Sequence, residues 1–535
     1  TGADRGSQLD QVCYGELAGI SCCGAPRQID VKAGAVMGLF ERSVRGRLLT
    51  ILTAITLSAA LATGSASALS FDTDAESVIE VPTTSGCPTL TDEPRAYEAW
   101  FNVDDMEVRG YYDPLNQVPW DFPKKIAQIL CGARQGAEIK IGMYFIRAIG
   151  TMTQPGLKAG ADPAGSLGSR PESDPEVIYD ALEYLVKKRG VKVGLVLDAG
   201  SITSASAKSL INRRLLTIAG ISGIPSTAGG KTDGIEWCTN GCFNTNSRST
   251  YPYAINHEKY VTISDTIWDG ASGSARPASS AKPAVISSSG NWARSQIRNY
   301  MQELTVVYGD RELFNQFSMR YDGMTYCANT KCAKNTGFPS GLKKNLYLDR
   351  KIWVDPTIHG TDSGRGTFVT FSPQPSTVVD SYIAAFDNVD CTVDKRIRIA
   401  MFKLTDSKAT TMAKALSRLK SRGCDVKMLL TQQGGATSIS KGVIKMLNKA
   451  KISYKCTAVA MHTKLILIGP VTGNNGRALH GTANMSTAGL RYSEEHTITF
   501  DARRAAPQYQ EDLRRVYGTY LAGWYELSQG SKACK

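Results

Sequence analysis

The sequence predicts an α/β protein of two similar α/β/α repeats, each a mixed sheet flanked by helices, with one site shared between the lobes. Three observations predict it. The 535 residues are 42% hydrophobic and 21% charged, a balance that supplies a large core and excludes a disordered or collagen-like chain. A strand–helix–strand pattern occurs twice. Each copy is followed, at an equivalent place, by a His-x-Lys pair.

Read from the N-terminus, residues 1–36 precede Met37 and are taken as an upstream or artefactual extension outside the fold. From Met37 the chain passes Arg42, Arg45 and Arg47, enters an uncharged apolar stretch at 48–63, and reaches Ala66-Ser67-Ala68. A basic start, a short apolar middle and small residues at the end describe a secretory signal peptide over 37–68, its apolar part too short to span a bilayer. Residues 69–110 then form an N-terminal segment, 111–370 the first repeat with long loop insertions, and 371–535 the second repeat.

In the repeats, Ile139-Lys-Ile-Gly-Met-Tyr-Phe145 matches Ile397-Arg-Ile-Ala-Met-Phe-Lys403. Each has the length and apolar content of a buried strand, and each follows a helical segment, about 123–136 and 376–388. Next, Ile178, Ala181, Leu182 and Leu185 recur at i, i+3, i+4 and i+7, as do Met412, Ala415, Leu416 and Leu419, each set one apolar helix face. Asp174-Pro175 supplies a start for the first helix, and Gly190 and Gly423 supply stops. Strands at 191–197 and 425–430 complete two parallel units covered by helices. Insertions at about 147–173 and 201–250, rich in Gly, Ser, Pro and Thr, lengthen the first copy and are of the kind that covers or lines a site.

Lys plus Arg outnumber Asp plus Glu by 62 to 49, and without residues 1–68 by 56 to 44. The basic excess of +12 therefore belongs to the folded part and suits a partner carrying phosphates. Ten cysteines remain there, an even number that points to disulfides in an exported chain. Cys238-x3-Cys242 and Cys327-x4-Cys332 read as local staples, because no His lies near either to complete a tetrahedral zinc site. No further run of apolar residues is long enough for a transmembrane anchor. A monomer is expected.

The five histidines carry the chemistry. His257 heads Asn256-His257-Glu258-Lys259-Tyr-Val-Thr-Ile263, followed by Ser288-Ser289-Gly290-Asn291-Trp292. His462 heads Met461-His462-Thr463-Lys464-Leu-Ile-Leu-Ile468, followed by Gly481-Thr482-Ala483-Asn484-Met485. An acid then enters a β-like run in each copy, Glu303 and Glu495. His and Lys at i and i+2 of a strand project from one face, and Ser289 with Asn291, or Thr482 with Asn484, could do likewise. Packed about a pseudo-twofold axis, His257, Lys259, Asn291, His462, Lys464 and Asn484 converge on one pocket. That set suits a phosphodiester: Lys and Asn bind the non-bridging oxygens, one His attacks phosphorus and the other protonates the leaving oxygen. A carboxylate accepting from each Nδ1 would fix the tautomer and leave Nε2 free to react. Shared chemistry requires imidazoles within roughly 10 Å of each other. His359, His480 and His496 read as surface or structural, and Trp292 as core packing. One H-x-K arises by chance in a chain this long; the weight lies in two copies in register with an independent repeat.

This doubled set resembles the phospholipase D superfamily, whose signature is H-x-K-x4-D with a downstream G-S/T-x-N. The resemblance covers most of the chain after residue 68 and implies a phospholipase D-like fold. It also implies a two-step reaction through a phosphohistidine, with no metal or other cofactor, in which His257 is the nucleophile and His462 the acid. The chain departs from the signature where Ser264, beside Asp265, and Gly469 occupy the Asp positions, and where Ser288 replaces the motif Gly.

The expected function is thus a secreted phosphodiesterase that hydrolyses, or transfers, phospholipid head groups at a membrane or micelle surface. Met152, Trp237 and Trp268 in the insertions offer apolar contacts there. The alternative is a secreted nuclease or other phosphodiesterase of the same superfamily, which the basic charge serves equally. No aromatic stacking array or Lys/Arg run supports single-strand binding. The third reading is a noncatalytic phosphate-binding protein, against which stands the retention of every reacting group in both copies.

Overall fold

Two sheets are laid down by the same sequence of events. In the first, β1 (Tyr97–Phe101), β2 (Glu138–Met143), β3 (Lys192–Asp198), β4 (Ile235–Cys238), β5 (Lys259–Ile263), β6 (Ala284–Ser288) and β7 (Glu303–Tyr308) lie in the order β1-β7-β6-β5-β2-β3-β4. The second uses β8 (Thr367–Ser372), β9 (Arg396–Met401) and β10 (Asp425–Leu430), and, after a small hairpin of β11 (Gln432–Gln433) and β12 (Ala436–Thr437), β13 (Ser453–Cys456), β14 (Lys464–Gly469), β15 (Arg477–Gly481) and β16 (Glu495–Asp501). Its order, β8-β16-β15-β14-β9-β10-β13, reproduces the first strand for strand. The register agrees too: Met143 faces Lys259 across β2 and β5, and Met401 faces Lys464 across β9 and β14.

This computed structural model describes residues 87, 95–101, 121–146, 176–201, 234–239, 241–243, 254–267, 281–293, 296, 300–330, 364–374, 379–433, 436–437, 439–457 and 460–534. The extension at 1–36, the signal peptide at 37–68, Asp174-Pro175, Met152, Trp268, Cys332, His359 and most of the two insertions lie outside the described residues.

Helices form where the apolar spacing requires them. They are α1 (Asp121–Cys131), α2 (Glu176–Arg189), α3 (Arg311–Thr330), α4 (Ser381–Asp387), α5 (Asp406–Ser421), α6 (Lys441–Lys449) and α7 (Pro507–Gln529). Both four-residue stripes foreseen in α2 and α5 are buried. Truncating Leu182 or Leu416 there costs about 2–5 kcal/mol by opening a cavity. Gly190 (φ +59°) and Gly423 (φ +92°) end these helices in the left-handed region that a side chain disfavours. The other helices fit more loosely, since α1 stops at Cys131 and α4 begins at Ser381.

Three buried clusters define the layers. One joins α1 and α2 to the outer face of the first sheet, and another joins α4, α5 and α6 to the outer face of the second. Between the sheets, Phe317 and Met324 of α3 and Val516 and Tyr520 of α7 pack with residues of both sheets in one continuous core. The sheet edges also refine the repeat limits. β1 lies within the segment 69–110 and pairs with β7, while β8 runs across position 370/371 and pairs with β16.

Disulfides join Cys87–Cys131, Cys238–Cys242, Cys391–Cys424 and Cys456–Cys534, and Cys327 is also disulfide-bonded. Cys238–Cys242 is the local staple foreseen. Cys456–Cys534 fastens the C-terminal tail to the edge strand β13, where the Cys456 and Lys532 backbones exchange hydrogen bonds of 2.8 and 2.9 Å. Among the described residues no helix is long and apolar enough to cross a membrane.

Candidate active site

The site lies where β5 and β14 begin, beside the ends of β2 and β9. Backbone pairing across the lobes sets it. His257 N–H donates to the Glu494 carbonyl and His462 N–H to the Met301 carbonyl, each at 2.9 Å. The preceding residues are held from their own lobes: Asn256 N–H donates to Asp198 Oδ2 (2.8 Å) and Met461 N–H to Thr431 Oγ1 (3.0 Å). The two imidazoles therefore meet, with ring centroids 6.0 Å apart. Each ring packs on an aromatic at the same repeat position, Tyr144 at 5.0 Å from His257 and Phe402 at 4.6 Å from His462. Lys259 and Lys464 curl back to donate to the carbonyls of His257 (2.8 Å) and His462 (2.5 Å).

The Nδ1 atoms have unlike partners. His257 Nδ1 lies 2.7 Å from Glu495 Oε2, whereas His462 Nδ1 lies 2.7 Å from the Ser289 carbonyl. A carbonyl can only accept, so the bond to Ser289 places a proton on His462 Nδ1, with Lys464 Nζ 3.1 Å from the same atom. Burial pushes the Glu495 carboxyl well above its ordinary range, opposed by Lys259, a hydrogen bond from Thr482 and Lys464. With two ammonium groups beside it, we favour the anionic pair in which His257 Nδ1–H donates to Glu495 and Nε2 keeps its lone pair. Burial, then Lys259 and Lys464, holds His257 well below 6.5, and burial, then Lys464 and Lys259, does the same to His462. Burial also lowers Lys259 to about 7 and Lys464 well below 10.5. The pocket thus concentrates positive charge that an anion would relieve.

The expectation of one carboxylate per histidine is corrected on the His462 side. Ser288 pairs with Leu304 and Gly481 with Thr497, so the residue equivalent to Glu495 is Gln302, and Glu303 is equivalent to His496. A one-residue offset turns a strand side chain to the other face. Glu303 accordingly accepts from Ser289 Oγ (2.8 Å) and from Lys464 N–H (3.1 Å), and acts as a brace between the lobes. Thr482 binds its own strand through His496, whose N–H donates to its hydroxyl at 2.9 Å. Asn291 and Asn484 are buried, and the Oδ1 of each has no hydrogen-bond partner among the described residues. Since amide O and N can exchange places, these carboxamides can donate to an anion.

Several contributors escaped the sequence reading. Tyr144 and Phe402 were legible as aromatics at matching places in the repeat. His496 is not merely structural filler: its Nδ1 lies 2.5 Å from Glu258 Oε2, its Nε2 accepts from Ser287 Oγ (2.7 Å), and Arg320 Nε donates to Glu258 Oε1 (3.0 Å). Burial opposes ionisation of Glu258, but Arg320 and His496 outweigh it and lower its pKa. His480 is wholly buried against Phe500 and Tyr520, and Trp292 packs in the first lobe's core. Among the described residues no group of three or more His, Cys, Asp or Glu is arranged to hold a metal.

Two like α/β lobes thus bring paired His, Lys and Asn together. Residues 391–517 match the family model described as cardiolipin synthase, phospholipase D-like domain. The match lies within the second lobe and is to the same superfamily that the paired motifs resemble. Among solved structures, the chain is similar to phosphatidylserine synthase of Haemophilus influenzae, at 10% identity and a TM-score of 0.44, over 76% of this chain and 87% of that one. It is similar to polyphosphate kinase of Porphyromonas gingivalis at 10% identity and a TM-score of 0.40, over 79% of this chain but only 50% of that protein's length. The phospholipase D family member Nuc of Salmonella typhimurium aligns at 18% identity and a TM-score of 0.24, over 31% of this chain and 95% of its own. No curated protein matches the chain.

Proposed function

We propose that the protein is a secreted phospholipase D-like phosphodiesterase that cleaves phospholipid head groups through a phosphohistidine. The observation that carries the reading is the 6.0 Å approach of two imidazoles whose Nδ1 atoms are engaged and whose Nε2 atoms are free, between two buried lysines. His257 Nε2 attacks phosphorus while Lys259, Lys464, Asn291 and Asn484 hold the non-bridging oxygens. The bond to the leaving oxygen breaks as His462 Nε2–H protonates it. A water, deprotonated by His462, then attacks phosphorus and releases His257. Entry of the anionic substrate supplies the proton logic: its charge offsets the ammonium groups that depress His462, so that the imidazole becomes protonated once substrate is bound. The disulfides support export, and the engagement of His257 by a carboxylate supports its role as nucleophile.

The test is to incubate the protein, in EDTA, with phosphatidylcholine micelles and separately with plasmid DNA. Release of choline is the expected result. Nicking of the plasmid without choline release would move the reading to a nuclease, and complete dependence on an added divalent ion would overturn the metal-free mechanism.

A further inference from the structure

The net charge of the chain is +13, yet residues 403–455 alone contain twelve Lys/Arg against two Asp/Glu, a net +10. The rest of the protein is almost neutral. Structurally this segment is β10 and β13 with the outer helices α5 and α6, which pack side by side over the second sheet. Along α6 the lysines fall at Lys441, Lys445 and Lys449, one stripe at i, i+4 and i+8, with Val443 and Leu447 buried opposite. Lys451 extends the stripe beyond the helix, Lys414 is exposed on α5, and none of these five pairs with a carboxylate among the described residues. The two acids are already engaged: Asp406 accepts from Thr487, and Asp425 binds Arg398 at 2.6 Å.

The stripe begins at the pocket. Ser440, the N-cap of α6, donates its N–H to the Leu404 carbonyl (3.2 Å), and Leu404 follows Lys403, an exposed cation whose field reaches His257. From Lys441 to Lys451 the charges run on for roughly 15 Å. We propose that this α5–α6 face is a docking surface for an anionic lipid bilayer, which holds the enzyme beside its substrate. Lysine, a hydrated point charge, suits a surface read by charge alone, whereas arginine and aromatic rings dominate where phosphates and bases are gripped individually. A cluster of this size on an amphipathic helix is what anionic lipid surfaces attract. The choice of lipid as partner rests on the phospholipid reading of the pocket, but docking itself does not need turnover.

The test is co-sedimentation of the intact protein with vesicles of phosphatidylcholine alone, and of phosphatidylcholine with one third phosphatidylserine, at physiological salt. Binding is expected only to the anionic vesicles. The triple variant Lys441→Gln, Lys445→Gln, Lys449→Gln should weaken it by roughly a hundredfold, about fivefold per lysine. A control of equal charge loss on the first lobe, Lys187→Gln, Lys188→Gln, Lys192→Gln, should bind like wild type. Equal losses in both variants would show that net charge alone acts, and equal binding to both vesicles would show that charge does not act; either overturns the surface. Tighter binding to duplex DNA than to anionic vesicles would overturn lipid as the partner. Because no activity is measured, a failed head-group assay leaves this result standing, and a failed sedimentation leaves that assay standing.

Discussion

The two halves of the pocket share a backbone and differ in what stands behind the histidine. On one side, His257 leans on Glu495, and the neighbouring pair runs the other way, with Glu258 receiving His496 and bound by Arg320. On the other, His462 leans on a peptide carbonyl, and Thr463, Gln302 and Glu303 occupy the positions of Glu258, Glu495 and His496 without any such exchange of charge. Strand order and register survived the duplication, while the groups that set proton affinity diverged. A carboxylate stabilises an imidazole ring that gains positive charge far better than a neutral carbonyl does. Under the proposed mechanism, the half at His257 would bear charge through an intermediate, and the half at His462 would hand a proton over.

The comparison breaks most sharply on the histidines themselves. His257→Ala is expected to lower kcat by on the order of 10⁴-fold or more and to abolish a trapped phosphoryl adduct. His462→Ala should lose about 10²–10⁴-fold on a lipid but still form the adduct from a p-nitrophenyl ester, whose leaving group needs no acid. Rapid quenching under conditions that preserve phosphohistidine, followed by peptide mapping, checks both. An adduct on His462 would invert the two halves.

Smaller effects come from the supports. Glu495→Gln keeps the shape but removes the charge behind His257, and should cost on the order of 10³-fold in kcat. The mirror substitution Gln302→Glu, away from His462 Nδ1, should change kcat by less than about tenfold. Steady-state rates for the two decide whether the asymmetry matters to chemistry. In urea unfolding, Glu258→Gln should lose about 3–5 kcal/mol because Arg320 is left buried without its counter-charge. Thr463→Val at the matching position loses one hydrogen bond, to the Met301 carbonyl, and about 1 kcal/mol. Similar losses at both sites would remove the distinction.

The pH profile is the finest probe. His257 must be unprotonated to attack and is held well below 6.5, so kcat/KM should not fall on the acid side until well under that value, whereas His462, which must carry a proton, contributes to the alkaline side. On the alkaline side Lys259 gives up its proton through about 7 in the free enzyme. Its positive charge is present below that value and lost above it, so kcat/KM should decline as pH rises past about 7, by up to about tenfold per unit. Lys259→Arg keeps the charge and should flatten this limb, and an unchanged limb would assign it to another group.

Much of this was legible beforehand because it is local. The buried stripes of α2 and α5, the strands at β3 and β10, and the paired His-Lys motifs all follow from spacing along one chain. Glu303 and Glu495 show where legibility ends. Both enter a strand after the same motif, and only the cross-strand register, which pairs Leu304 with Ser288 but Thr497 with Gly481, reveals that they face opposite sides. The Ser289 carbonyl as a partner for His462 was invisible, because every residue carries a carbonyl. Distant disulfides such as Cys391–Cys424 were open for a related reason, since counting cysteines constrains their number and not their pairing.

The tail fastened to β13 has a significance unrelated to phosphate. An unpaired outer strand offers its peptide groups to any passing chain, a common route to aggregation. Here that edge is only four residues long, Lys455 projects from it into solvent, and the segment around Lys532 occupies the hydrogen-bonding positions of Cys456 under a covalent tie. The last residues of the chain thereby work as a stopper, keeping one molecule's sheet from being extended by the next.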